Sequence, residues 1–304
     1  MRVPVSVLIP AKNEAAHLAA CIGSVEWAGE VVVVDSRSTD AGPQIAADLG
    51  ARVVQFPYRP GGPRKKNWAL ENYPFRHDWV LILDADERIT PELAAEIASV
   101  LDAGTSHSGF YINRRNCFAG KWIRHAGYYP SWNLRLLKRG LARYELLPET
   151  DGGSGDNEVH EHVIVDGSIG RFSHPMDHLA YLDVAQFVEK HNRYSNWEAA
   201  LGSRLFARLE NGAACRDIDG AVNRKRKLKR LARQFPFPHW LRFAYHYFLK
   251  RGFIDGLEGY IFCHLLAEYE FWIWAKTKLA IRTTRGQDEE AQPVRLGAEA
   301  TDWR

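Results

Sequence analysis

Four consecutive valines, Val31 to Val34, restrict this chain more than any other segment. An unbroken β-branched run with no polar alternation describes a strand buried on both faces, the kind found in a parallel sheet covered by helices on each side. The flanking sequence repeats the requirement. Residues 5–9, 52–56 and 79–83 are further short apolar runs, and residues 14–25, 40–49 and 65–73 read as the helices between them. Leu18, Cys21, Ile22 and Val25 share one helical face, and Gly50 stops the second helix. A fourth helix opens at Thr90-Pro91-Glu92, with Thr90 as N-cap, Pro91 in the first turn and an acid near the positive end of the helix dipole. This alternation predicts an α/β fold with an open, mostly parallel central sheet and helices on both faces. Ligands of such sheets bind at the carboxyl ends of the strands.

That rule selects three loops: Pro10-Ala11-Lys12-Asn13-Glu14, Asp35-Ser36-Arg37-Ser38-Thr39-Asp40 and Asp84-Ala85-Asp86. In an extended segment alternate side chains point the same way, so Asp84 and Asp86 can face one ligand. Two hard carboxylates beside a phosphate-bearing substrate suit Mg²⁺ or Mn²⁺. The competing reading of the pair is a helix N-cap cluster ahead of Thr90. No G-x-G-x-x-G follows a strand, and neither a P-loop nor a G-x-S-x-G elbow is present. Nicotinamide-type Rossmann, P-loop and serine-hydrolase readings therefore lose their main support. Gly152-Gly153-Ser154-Gly155 follows no strand signal and reads as a loop.

The 304 residues, 46% hydrophobic and 25% charged, allow one large or two small domains with a substantial core, and exclude wholesale disorder and coiled coil. The net charge of +3 does not by itself point to a nucleic-acid partner. Cys21, Cys117, Cys215 and Cys263 are scattered and form no C-x-x-C, which fits a reducing compartment and argues against a zinc ribbon. The apolar start runs into Lys12-Asn13-Glu14, so it reads as a first strand and not a signal peptide. The most apolar long stretch, residues 259–275, carries His264, Glu268 and Glu270, which speaks against a spanning helix. The expected location is cytoplasmic, at the inner face of the membrane.

Residues 105–180 predict further strands and a wall on the acceptor side. From residue 182 the pattern is helical, with Val184, Phe187, Val188 and His191 on one face. Residues 224–233 hold seven basic residues in ten. A solvated helix face, a nucleic-acid contact and an anionic membrane surface all fit that run, each basic residue adding about 1 kcal/mol near anionic lipid. The aromatic residues that follow, up to Trp274, favour the membrane, and no nucleic-acid-binding module surrounds the run. The same aromatics could pack a helical subdomain or a dimer interface. The tail after Arg285 is polar and expected to be disordered.

Taken together, Val7-Leu8-Ile9-Pro10-Ala11-Lys12-Asn13-Glu14, Val31 to Asp40 and Leu83-Asp84-Ala85-Asp86-Glu87 resemble glycosyltransferase family 2. Lys66-Asn67-Trp68-Ala69-Leu70, Arg114-Arg115-Asn116, Gly120 to His125, Leu134-Arg135-Leu136, Val159-His160-Glu161 and Lys190 to Ser195 are similar to its lipopolysaccharide-core β-1,4-glucosyltransferase branch. The resemblance implies a GT-A fold: residues 1–105 as the nucleotide-sugar-binding half, 106–200 as the acceptor-binding half, 201–285 as a basic and aromatic helical extension, and 286–304 as the tail.

It also implies roles. Pro10, Asn13 and Asn67 would lie at the donor, with Glu14 and Asp35 holding the uridine base and ribose. Lys66 stands where that branch has an Arg, near the uracil or pyrophosphate, without the planar fork. Asp84 would contact the ribose or metal, and Asp86 the metal bridging the diphosphate. His178 would be a further metal or phosphate contact. Arg135 would stabilise the diphosphate, or serve only as an ion-pair partner. The general base matching the branch is Glu161, with Glu158 and Asp156 as rivals in the same loop. The pattern H-E-H there is not H-E-x-x-H, so a zinc protease is not supported.

The implied reaction is inverting, metal-dependent transfer of a hexose, with glucose expected, from a UDP-sugar. The acceptor would be a saccharide, free or lipid-linked, in lipopolysaccharide-core or other envelope polysaccharide synthesis, with membrane contact through residues 224–274 and no nucleic acid. An exopolysaccharide, polyprenyl-phosphate or protein acceptor fits the same fold. A sugar nucleotidyltransferase would need a Gly-rich, Arg-containing first loop, which residues 10–14 lack. A non-enzymatic membrane or nucleic-acid adaptor would use only the basic run.

Overall fold

The computed structural model describes residues 2–59, 63–145, 162–210 and 237–290, with side chains of the two long helices described to residues 200 and 282. Strand β1 (Val3–Ala11) lies between β2 (Ala28–Asp35) and β4 (Trp79–Ile82), parallel to both, and β3 (Arg52–Gln55) extends the sheet beyond β2. β8 (Trp132–Lys138) then enters antiparallel between β4 and β6 (Gly109–Phe118). Beyond β6 come β12 (Met176–Tyr181), parallel to it, and β5 (Glu87–Arg88), antiparallel to β12. Two short strands also pair with β6, β7 (Lys121–Trp122) antiparallel and β11 (Ile169–Arg171) parallel, so the sheet is mostly parallel, with the reversed β8 joining its two halves and the short β5 and β7 reversed at its margins.

The valine run behaves as its composition requires. Val33 packs with Val7, Ile9 and Leu81 against Leu18, Cys21 and Ile22 of α1 (Ala15–Gly23) and Leu93 and Ile97 of α4 (Pro91–Asp102). Val32 and Val34 face the other way, with Leu8, Val80 and Ile82, onto Ala69 of α3 (Lys65–Asn72) and onto Phe56, Phe75 and Tyr144. Alternate residues of each strand therefore feed two cores, and each buried aliphatic side chain contributes about 1.5–3 kcal/mol. Thr90 caps α4 by accepting from the Leu93 amide at 3.2 Å, and Gly50 follows α2 (Gly42–Asp48) at φ +79°, as the sequence predicts.

A third core, of Phe118, Ile123, Ala126, Phe187, Phe262, Cys263 and Leu266, joins the carboxyl end of β6 to α5 (Val184–Glu210) and the last helix. On α5 the buried stripe is Phe187, His191, Ser195 and Ala199, whereas Val184 and Val188 are exposed. The expected face was therefore misplaced: the stripe follows an i, i+4, i+8 ridge against one neighbouring helix and not a broad i, i+3, i+4 face. α6 (Pro238–Ala244), a π-helical turn (Tyr245–Leu249) and a 3₁₀ turn (Gly252–Asp255) lead into α7 (Gly256–Glu290). The 3₁₀ turn presses directly on α7: a Cβ on Gly259 would lie 2.2 Å from the Gly252 carbonyl oxygen. α7 continues to Glu290, past Arg285. None of the described helices is long and apolar enough to cross a membrane.

β9 (Ala142–Tyr144) pairs antiparallel with β10 (Val163–Val165), and Glu145 and His162 close the pair. The Glu145 amide donates to the His162 carbonyl at 2.9 Å, and the His162 amide donates to the Glu145 carboxylate at 3.1 Å. The basic run and Cys215 lie outside the described residues.

Candidate functional site

Register brings the three polar loops to one edge. Ala11 pairs with Asp35 and Leu8 with Ile82, so the chain leaves β1, β2 and β4 side by side. The first two loops are pinned together: the Asn13 amide donates to Ser38 Oγ at 2.8 Å, and Asn13 Oδ1 accepts from the Thr39 amide at 2.8 Å. Asn13 and Arg37 both sit in the left-handed region, at φ 55° and 54°. For a residue such as Arg37 this costs of order 1 kcal/mol, the kind of strain that gathers at working sites. Pro10 lies in β1 opposite Val34. Asp35 is buried and accepts from Ser38 and from Gln55 Nε2 (2.9 Å).

Asp84 and Asp86 emerge at the carboxyl end of β4 and meet different partners. Asp84 receives Lys66 Nζ at 3.1 Å from α3 and the Arg135 guanidinium at 2.5 Å from β8. Burial opposes its charge, but Arg135 and then Lys66 outweigh burial and hold its carboxyl well below the usual carboxylate range. Asp86 receives His178 Nε2 at 3.5 Å and Lys190 Nζ at 3.2 Å. Burial again works against the charge, and His178 and Lys190 again prevail.

The strand register explains this placement. β5 follows Asp86 directly and pairs with β12, where His178 sits opposite both Glu87 and Asn116. Asn116 Nδ2 donates to the Tyr128 carbonyl at 3.0 Å, so Asn116 Oδ1 accepts the Nδ1 proton of His178 at 2.8 Å. In the neutral ring this leaves the Nε2 lone pair facing Asp86.

Beneath the pair lies Glu87, fully buried. Its Oε1 accepts from Arg135 at 2.6 Å and from Arg114 at 3.3 Å, while its Oε2 accepts from the Asp84 amide at 3.0 Å. Glu87 fixes the turn that aims both aspartates. Glu14, at the start of α1, is pushed up to about 7, first by burial and then by Asp86. Near neutral pH it can therefore donate a hydrogen bond as well as accept one. Behind His178 a cavity of about 160 Å³ is lined by Arg114, Asn116, Tyr128, Ser131, Tyr181 and Phe262, among others.

The structure thus gathers Asp84, Asp86, Lys66, Arg135 and His178, with Glu14 close enough to feel both aspartates. Asn67 is turned elsewhere: its Nδ2 donates to the Tyr144 carbonyl at 2.9 Å and its Oδ1 accepts from the Tyr144 amide at 2.8 Å, clamping α3 to β9. Glu161, Glu158 and Asp156 lie outside the described residues. Glu87, Asn116 and Lys190 were given no role from sequence, although each stands in a motif that carried the family resemblance. Among the described residues, no group of three or more His, Cys, Asp or Glu side chains is arranged to hold a metal ion.

A mostly parallel sheet that presents paired carboxylates, flanking cations and a nearby carboxyl at its strand ends is the GT-A arrangement of nucleotide-sugar transferases. The profile of glycosyl transferase family 2 matches residues 6–157, and the chain belongs to that family. The lipopolysaccharide core biosynthesis glycosyltransferase LpsC of Rhizobium meliloti (strain 1021) is 32% identical over 204 residues, covering 65% of this chain and 71% of the relative. An uncharacterized glycosyltransferase of Rickettsia felis is 26% identical over 283 residues, covering 90% and 89%. Glucosyl-3-phosphoglycerate synthase from Mycobacterium tuberculosis, solved with Mn²⁺, UDP and glucosyl-3-phosphoglycerate, is 30% identical over 38% of this chain. That match spans under half of the synthase (44%), and its TM-score of 0.31 is too low to bear on the architecture here.

Proposed function

We propose that this glycosyltransferase moves a hexose, glucose, from a UDP-sugar to a saccharide acceptor of the lipopolysaccharide core or a related envelope polysaccharide, with inversion. The observation that supports this most is the Asp84–Asp86 pair at the end of β4, faced by Lys66, Arg135, His178 and Lys190. Lys66, Arg135 and Lys190 suit a diphosphate, and the buried Asp35 and raised Glu14 on the neighbouring loops suit the polar edges of a nucleoside. In this reading the acceptor hydroxyl attacks the anomeric carbon, the bond from that carbon to the UDP oxygen breaks, and Glu161 takes the hydroxyl proton. Pro10 and Asn13 shape the donor loop.

A divalent cation, Mg²⁺ or Mn²⁺, fits the donor set: Asp86 offers a hard oxygen, and the Asn116 hydrogen bond turns the His178 lone pair toward it. Asp84 would join them only by giving up Lys66 or Arg135, its present partners. Such an ion would neutralise charge developing on the departing UDP. The acceptor in this reading is lipid-linked, and the protein meets the membrane surface through residues 224–274, of which 224–236 lie outside the described residues.

Thermal melting with nucleotides and nucleotide sugars tests the donor. UDP or a UDP-hexose at about 100 times its Kd should add about 2.7 kcal/mol of stability, with a further metal-dependent gain from Mn²⁺. GDP-sugars should add none, and a panel with no uridine response would discard the UDP donor. For the base, Glu161→Gln should stop transfer and leave the UDP shift intact. Retained turnover in that variant would assign the proton transfer to another group.

A further inference from the structure

The large apolar side chains that remain exposed are concentrated in one place. Of the twenty exposed among the described residues, ten lie between residues 237 and 260: Phe237, Trp240, Leu241, Tyr245, Phe248, Leu249, Phe253, Ile254, Leu257 and Tyr260. Leu249 is 72% exposed, Leu257 68% and Phe248 62%. Three of them share one surface: Phe248, Phe253 and Tyr260 all ring the half-buried Tyr247, at centroid distances of 5.1, 6.1 and 5.7 Å. Its side chains project from the π-helical turn, from the 3₁₀ turn that follows the left-handed Arg251 (φ 58°), and from the start of α7.

The charges at this surface have one sign. Lys250 and Arg251 are exposed beside the apolar tips, and Lys250 Nζ lies 5.5 Å from the centre of the Tyr245 ring. Both acids of the stretch are engaged: Asp255 is buried against His125, and Glu258 is held by Lys121 at 2.9 Å. An apolar face rich in Phe, Trp and Tyr and edged by the exposed Lys250 and Arg251 is complementary to an anionic lipid interface, where aromatic and aliphatic side chains sit below phosphate.

We infer that residues 237–260 form a membrane-inserting face, and that insertion of its apolar tips, not the basic run at 224–233, holds the protein on anionic bilayers. This deepens the proposed lipid-linked acceptor by naming the residues that bring the enzyme to it. The face is also fastened to the site. The Asp255 carboxylate accepts from the His125 amide at 2.8 Å, the Ala126 amide donates to the Lys250 carbonyl at 3.0 Å, and His246 Nδ1 donates to the Ala126 carbonyl at 2.7 Å. The segment so held runs on to Tyr128, which lines the cavity behind His178.

The test is flotation of the full chain with phosphatidylcholine vesicles and with vesicles containing phosphatidylglycerol, at low and high salt. The wild type should float with the anionic vesicles and stay largely bound at high salt, because apolar insertion is not screened. Phe248→Ser/Leu249→Ser should weaken binding on the order of a hundredfold, with the melting temperature and the UDP shift unchanged. Wild-type protein that does not float, or that salt releases completely, overturns the inference. So does a double variant that floats like the wild type, or one whose only change is a loss of self-association on gel filtration. UDP binding is read separately, so failure of the donor assignment and failure of the membrane face are distinguishable.

Discussion

Asp86→Asn is expected to lower sugar transfer on the order of a thousandfold, the loss typical when a group aimed at developing charge is removed. The carboxylate sits where His178 and Lys190 converge, at 3.5 and 3.2 Å, and an asparagine keeps the shape while discarding the charge. The fold should survive, because Lys190 and His178 are not sealed in and can be solvated when the charge is gone. Release of UDP from a UDP-hexose is the activity measurement, and thermal melting is the control. UDP should still shift the melting temperature through Lys66 and Arg135, but Mn²⁺ should no longer add to the shift. Transfer within tenfold of wild type would remove Asp86 from the reaction.

Glu87→Ala should produce the largest loss of stability, with Asp84 and Asp86 untouched in sequence. Glu87 is fully buried and is shared by Arg135 and Arg114, so its removal leaves Arg114 without its carboxylate and Arg135 with Asp84 as its remaining ion-pair partner among the described residues. Breaking a buried pair from one side costs about 3–5 kcal/mol, which for a chain of this size lowers the melting temperature by about 10 °C. Glu87→Gln keeps an acceptor oxygen and should lose less. Activity should fall as well, since Glu87 Oε2 also holds the Asp84 amide. An alanine variant that melts within a degree or two of wild type would show that Arg114 and Arg135 find other partners.

The sheet and its working edge were legible because both are local statements. A run such as Val31 to Val34 can be satisfied only between two helical layers, and strand-end loops announce themselves by their abrupt polarity. What eluded the sequence depends on pairings between distant segments. Leu134-Arg135-Leu136 reads as any strand, and nothing within it says that β8 runs antiparallel between β4 and β6 and so delivers Arg135 to Asp84 and Glu87. Lys190 lies 104 residues from Asp86, and only the docking of α5 brings them together. Asn67 stands with Lys66 in the motif that carries the family resemblance, yet the two side chains meet different partners. One helical step rotates a side chain by about 100°, and it is this step that turns Asn67 onto the Tyr144 backbone.

The Glu145–His162 closure has an evolutionary consequence. Glu145 and His162 meet through neighbouring backbone atoms, so the β9–β10 pairing closes without help from residues 146–161. Lengthening such a segment is cheap, since doubling it costs only about 0.6 kcal/mol of closure entropy. The closure therefore tolerates a change of length between Glu145 and His162 over evolutionary time, while the strands whose ends carry Asp35 and Asp84 keep their register.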